Sequence, residues 1–384
     1  MIQSAAVFNL GFRPFYLLAA LLAALGVPLW LAQYFGWIAP PAYLSGMAWH
    51  THEMTFGFVV AVLTGFLFTA VRNWTGLPTP TGMPLAALAA LWLSARVLVV
   101  IGPGWLAAAL DVAFLPAAAL SLWFPLRRSR NRNQFFVAVL LALAAANLSF
   151  HLAHAGMVDL AELSPVRFAL YLIAVIVAVM GGRVIPSFTQ NAIPGARIRR
   201  HRALDLAAIA VMAAALIATL LGLPSWAAAP LCILAALLHA ARLAMWDSWS
   251  TRGQPILWIL HVSYAWIPIG LLLLGLATLT GAVPAVLADH ALSVGAVGGM
   301  ILGMITRTAR GHTGRPLRAG PVEVVAYTLV PLAAAVRVLL PIAWPQAYRP
   351  ALLASGVLWS AAFLLYLLVY VPMLTKARVD GLPG

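Results

Sequence analysis

What most constrains this chain is that apolar runs of about 20 residues follow one another along its whole length, broken only by short stretches rich in Pro, Gly, Trp and Arg. A soluble fold has no means of hiding so many. With 64% hydrophobic and 8% charged residues and a mean hydropathy of +0.98, the chain lies far from the roughly quarter-charged usage of soluble domains. The runs are too long and too continuous for a β-barrel, whose strands alternate over about ten residues. The sequence therefore predicts an all-α integral membrane protein with helices near 14–34, 52–72, 83–101, 105–125, 134–155, 166–185, 203–222, 226–246, 255–277, 288–308, 321–343 and 351–374. These twelve spans form one polytopic domain over 1–384 and leave no room for a sizeable extramembrane domain. The apolar stretch after Arg13 reads as a first span, retained in the mature protein, rather than as a cleaved signal.

The excess of 23 Lys+Arg over 9 Asp+Glu, giving +14, is a property of the loops. Nineteen of the 23 basic residues fall on one side of the twelve-span topology, and only Arg96, Arg167, Arg337 and Arg349 fall elsewhere. By the positive-inside rule both termini are expected in the cytoplasm. The basic clusters then need no nucleic acid as partner; the partner is the lipid bilayer. The single cysteine, Cys232, excludes an internal disulfide, a Cys-ligated iron–sulfur cluster and a C-x-x-C-H haem attachment.

A local repeat emerges when His52 is set on His290. Five residues on are Gly57 and Gly295, thirteen on are Gly65 and Gly303, twenty on are Arg72 and Arg310, and Thr75-Gly76 matches Thr313-Gly314. Arg96-Val97-Leu98 then matches Arg337-Val338-Leu339, so the segments 52–101 and 288–343 echo each other, which suggests three four-helix arcs.

Nine histidines stand out in a chain with few other polar side chains. His50, His52, His151, His154 and His290 share the level opposite the termini, and ionisable groups within membrane segments are by default functional. A metal centre at that level is expected, since imidazole is the commonest ligand for haem iron and copper. His50 and His52 face opposite directions on a helix, whereas His151 and His154, three apart, share a face. The economical arrangement sets His52 and His290 as axial ligands of one haem and turns His50 toward a second centre with His151 and His154. Glu53 either caps the helix start or delivers protons to a buried centre. Arg96 and Arg337 suit haem propionates, or snorkel to the surface. His261, with His239 at similar depth, forms either an inner metal site or a hydrogen-bonded core pair. His201 reads as solvated and His312 as structural. Walker, dinucleotide-binding and acidic Mg²⁺ or Ca²⁺ motifs are absent, which argues against ATP, NAD and flavin chemistry.

Several blocks resemble the NnrS family of bacterial inner-membrane proteins. They are Phe8-Asn9-Leu10-Gly11-Phe12-Arg13-Pro14-Phe15, Trp49-His50-Thr51-His52-Glu53-Met54 with Gly57, Gly65-Phe66-Leu67-Phe68-Thr69-Ala70, Asn73-Trp74-Thr75-Gly76, Gly181-Gly182-Arg183-Val184-Ile185-Pro186 with Phe188-Thr189, His261 with Tyr264, and His290 through Arg307 to Gly311-His312-Thr313-Gly314-Arg315. The likeness runs nearly end to end. It implies a protein of the inner membrane that contains haem b, one or two, and copper, and that is associated with denitrification and resistance to nitric oxide and nitrosative stress. A weaker, fold-level likeness is to the haem–copper oxidase and nitric oxide reductase superfamily, from which the chain departs by lacking histidines in helices six and seven at the copper positions. The expected function is thus binding, and reduction, of nitric oxide at the outer-half centre, with electrons from quinol or another donor. The alternatives are a non-enzymatic sensor or sink for nitric oxide and a twelve-helix transporter.

Overall fold

The computed structural model describes residues 6–382, and among them no residue lies in a β-strand. Twelve helices are long and apolar enough to cross a membrane: α1 Phe12–Tyr34, α2 Gly46–Thr75, α3 Gly82–Ile101, α4 Gly104–Arg128, α5 Arg132–His154, α6 Ser164–Ala192, α7 Arg202–Leu220, α8 Ser225–Ala244, α9 Pro255–Thr280, α10 Ala285–His312, α11 Pro321–Ala343 and α12 Pro345–Leu374. Backbone N–H and C=O groups find no water in a bilayer, so helices must satisfy them internally. An even number of crossings returns the chain to the side from which it started. Leu25, Leu120, Phe124 and Leu368 are among the large apolar side chains left exposed, as lipid-facing positions require.

The twelve-helix expectation holds, with shifted ends. α2 begins at Gly46, so His50, His52 and Glu53 lie inside the helix rather than at its start. Glu53 is therefore no cap. Directly after His52 the helix widens into π-helical turns over Glu53–Val59, and α10 does the same directly after His290, over Ala291–Gly298. Such wide turns disturb the regular hydrogen-bond ladder and are frequent at functional sites.

The chain divides into two compact units, residues 1–169 with 308–316 and 363–384, and residues 170–307 with 317–362. In the first unit, Gly11 and Gly65 let α1 and α2 approach closely, because a Cβ at Gly65 would meet the Phe15 side chain and the Gly11 carbonyl. Phe15 then packs against Phe68 and Phe114, with ring centroids 6.1 and 5.6 Å away. Arg13, fully buried, donates from Nη1 to the carbonyls of Leu374 at 2.8 Å and Lys376 at 2.7 Å, at the end of α12. A helix C-terminus carries unpaired carbonyls and partial negative charge, so a cation there is stabilising.

In the second unit the buried polar side chains find one another. Arg242 donates from Nε to Asp205 Oδ1 at 2.7 Å and from Nη1 to the Tyr264 hydroxyl, which bonds His239 Nδ1 at 2.7 Å. Gly181 and Gly182 leave the space that the Tyr264 ring and the Arg242 guanidinium occupy. Cys232 is buried in α8.

Replacing Arg13 with Met should strand the Leu374 and Lys376 carbonyls and cost about 1–3 kcal/mol. The test is the melting temperature of the protein in detergent, and an unchanged value would show that this tie does not hold the end of α12.

Candidate metal centre

The site lies in the first unit, where α2, α3, α4 and α5 each contribute polar side chains to an otherwise apolar interior. α2 brings His52 and Glu53, α3 brings Arg96, α4 brings Asp111, and α5 brings Asn147 and His151. All six are buried, from 0% exposure at His52 to 6% at Arg96.

Asp111 is the hub. Its Oδ2 lies 3.1 Å from His52 Nε2 and 3.0 Å from His151 Nε2, and it accepts from Asn147 Nδ2 at 2.7 Å. The Asn147 carbonyl oxygen lies 3.0 Å from His52 Nε2. On its other oxygen, Asp111 pairs with Arg96 Nη2. Arg96 Nη1 donates to Glu53 Oε1 at 3.0 Å, and the same oxygen lies 3.1 Å from His52 Nδ1. His52, Glu53, Arg96 and Asp111 thus close a ring in which the planar guanidinium fork bridges two carboxylates, a geometry that suits arginine far better than lysine.

Local sequence explains how the ring fits. A Cβ at Gly57 would sit 3.0 Å from Arg96 Nη1 and 3.3 Å from Glu53 Oε2, so the glycine keeps room for the ion pair. Trp92, one turn before Arg96, donates from Nε1 to the Gly57 carbonyl at 3.3 Å and lies under the guanidinium at 5.6 Å. Two carboxyl groups share one guanidinium in a low-dielectric interior, a setting that a bound cation would complement.

Among the described residues, the one group of three or more His, Cys, Asp or Glu side chains close enough to hold a metal ion is His52, Asp111 and His151, whose ligand atoms lie within 4.8 Å of one another. Two imidazole nitrogens and a carboxylate oxygen form a donor set for Cu(II) or another divalent transition metal. Asp111 and Asn147 do not figure in the sequence reading. Their signal was there to be used, since both are polar side chains in the middle of apolar runs.

The other candidate histidines have partners of their own. His50 turns to α1 and stacks on Trp30, with centroids 4.0 Å apart. His154 parts from His151: its Nδ1 lies 2.6 Å from Glu162 Oε1, and its Nε2 donates to the Tyr43 carbonyl at 3.0 Å. His261 sits between two hydroxyls, with Nε2 2.9 Å from Thr189 Oγ1 and Nδ1 2.9 Å from Ser248 Oγ. In the second unit, His290 Nδ1 donates to the Val286 carbonyl at 2.7 Å, which leaves the lone pair on Nε2. There too, Arg337 on α11 donates to the Tyr348 hydroxyl at 3.3 Å and lies over its ring.

A tyrosine outside the membrane-spanning segments completes the surroundings. Tyr43, in the loop between α1 and α2, has its hydroxyl 2.7 Å from His151 Nδ1 and its ring parallel to the imidazole. Burial, with the Glu162 carboxylate adding to it, pushes the Tyr43 phenol up to about 12, so the hydroxyl stays protonated at neutral pH.

Twelve apolar helices and, in the first unit, a buried His–Asp–His group define a polytopic membrane protein with a candidate metal site. The profile of the family described as NnrS protein matches residues 6–378, nearly the whole chain, and the protein belongs to that family. No match was found among curated proteins.

Replacing Arg96 with Leu should leave two carboxylates buried without their cation and cost about 3–5 kcal/mol. Arg96→Lys should recover only part of this, because one ammonium does not fork. Thermal unfolding followed by tryptophan fluorescence measures both, and equal melting of all three proteins would show that the ring is dispensable.

Proposed function

We propose that this protein is a copper- and haem-containing protein of the bacterial inner membrane, with both termini in the cytoplasm, that binds nitric oxide at the buried centre and protects against nitrosative stress. Membership of the NnrS family supports a role in the response to nitric oxide. The observation that carries the reading is the convergence of His52 Nε2 and His151 Nε2 on one oxygen of Asp111. Nineteen basic residues on the side of the termini support the orientation, which puts the centre in the outer half.

The donor set fits copper. His52, His151 and Asp111 would hold it, and copper there supplies a binding position for nitric oxide and one-electron redox chemistry. Glu53 orients His52 through Nδ1, as carboxylates behind metal-bound histidines do. Arg96 holds both carboxylates in place. Being small and apolar, nitric oxide reaches the centre through lipid without a polar channel.

Haem does not fit at His52, whose two ring nitrogens both face side chains of the same centre and whose ring is fully buried. His290 suits it better. Its Nδ1 bond to the Val286 carbonyl would orient the imidazole that held the haem, and α11, which carries Arg337, packs against the start of α10. One haem held by His290, with a propionate against Arg337 as the sequence suggests, is the reading that follows.

Reduction would join two nitric oxide molecules with two electrons and two protons to give nitrous oxide and water, the electrons coming from quinol or another donor. A sensor or sink would bind without turnover, and a transporter would hold no redox-active metal. Metal and haem analysis of purified protein, with spectra before and after nitric oxide and an electrode assay with quinol, separates the three. Stoichiometric copper and a nitric oxide-sensitive spectrum are expected; colourless, copper-free protein would overturn the reading. Alanine at His52, His151 or Asp111 should abolish copper binding, while His50→Ala and His261→Ala should retain it. Haem should be lost in His290→Ala and kept in His52→Ala, and the opposite pattern would return the haem to His52.

A further inference from the structure

The centre is sealed differently on its two sides. Toward the termini the neighbouring positions are apolar and buried: Phe56 and Phe58 on α2, Phe114 and Leu115 on α4, Leu143 and Ala144 on α5. Toward the opposite side stands a line of polar side chains of rising exposure. His151 is 4% exposed, His154 25% and Glu162 38%. These are imidazole and carboxylate groups, the ligands a divalent transition metal accepts.

Against both His154 and His151, alongside Phe150, lies Tyr43. Its ring is parallel to His151 at 5.9 Å and edge-on to His154 at 5.2 Å, its hydroxyl holds His151 Nδ1, and its own carbonyl accepts a hydrogen bond from His154 Nε2. On another side, the ring lies so close to Gly104, at the start of α4, that a Cβ there would overlap it. The loop that carries Tyr43 and the loop that carries Glu162 join α1 to α2 and α5 to α6, so both emerge on the side opposite the termini.

A cation does not cross an apolar layer without its ligands, because desolvation is too costly. We propose that the metal reaches the centre from the side opposite the termini, captured first by Glu162 and His154 and admitted past Tyr43, which acts as the gate. This inference rests on the reading of His52, Asp111 and His151 as a metal centre. Tyr43 suits the role because a hydroxyl both donates and accepts. It bonds His151 while Nε2 faces Asp111, and it accepts from Nδ1–H once Nε2 holds a metal. Tyr43 thereby positions the ligand that it also screens.

The route predicts a kinetic signature. Residues along a path change the rates of entering and leaving together and leave the equilibrium alone, whereas ligands change the equilibrium. In the double variant His154→Ala/Glu162→Gln, uptake of Cu²⁺ and its extraction by a membrane-impermeant chelator should both slow by about tenfold or more at unchanged copper affinity. Tyr43→Ala should speed extraction. Tyr43→Phe keeps the ring and loses the hydroxyl, so it should bind copper about tenfold more weakly and shift the electron paramagnetic resonance of Cu(II). In vesicles of known orientation the chelator should act only from the face opposite the termini. Wild-type rates in the double variant, or extraction from the terminal face, would overturn the route while leaving the centre in place. A wild-type protein that takes up no copper would overturn the centre itself, and the route with it.

Discussion

The buried carboxylate of Asp111 is the feature around which the first unit is organised. An ionised acid inside a membrane helix is costly, and it persists only where its oxygens are fully engaged. Arg96 takes one oxygen of Asp111, and His52, His151 and Asn147 share the other. Four helices are thereby tied at one level. Gly57 and Trp92 follow as consequences, the glycine because the guanidinium needs its space, the tryptophan because it covers the guanidinium and bonds the Gly57 carbonyl.

That network separates groups that proximity in the chain would join. His50 and His52 diverge because a helix turns about 100° per residue, and the structure sends one to Trp30 and the other to Asp111. His151 and His154 share a face, yet one points into the unit and the other meets the loop carrying Glu162. The division leaves a compact ligand set inside and a second pair of metal-philic groups near the surface, with Tyr43 in contact with both histidines.

The paired histidines His52 and His290 occupy the same place in their helices, each immediately before a widened stretch. Their surroundings nonetheless differ. His52 is followed by Glu53 and meets an acid and an amide from other helices, while His290 is followed by Ala291 and bonds the backbone of its own helix. Equivalent sequence positions therefore sit in two distinct settings, a His–Asp–His group at one and a backbone-bonded imidazole at the other.

The sequence by itself determined the twelve spans, because apolar length and backbone satisfaction leave a bilayer few solutions, and its alternation of helix direction sets His50, His52, His151, His154 and His290, with Glu53 and Arg96, at one expected level. Asp111 and Asn147 carry the signal of polar residues within apolar runs, but their residue types alone name no metal. Which histidine meets which partner was decided only by tertiary structure. Helical phase, the widened turn after His52 and the rotation of α3, α4 and α5 about their axes set whether a side chain points inward. Sequence fixes depth along a helix far better than direction around it, and a ligand set depends on direction.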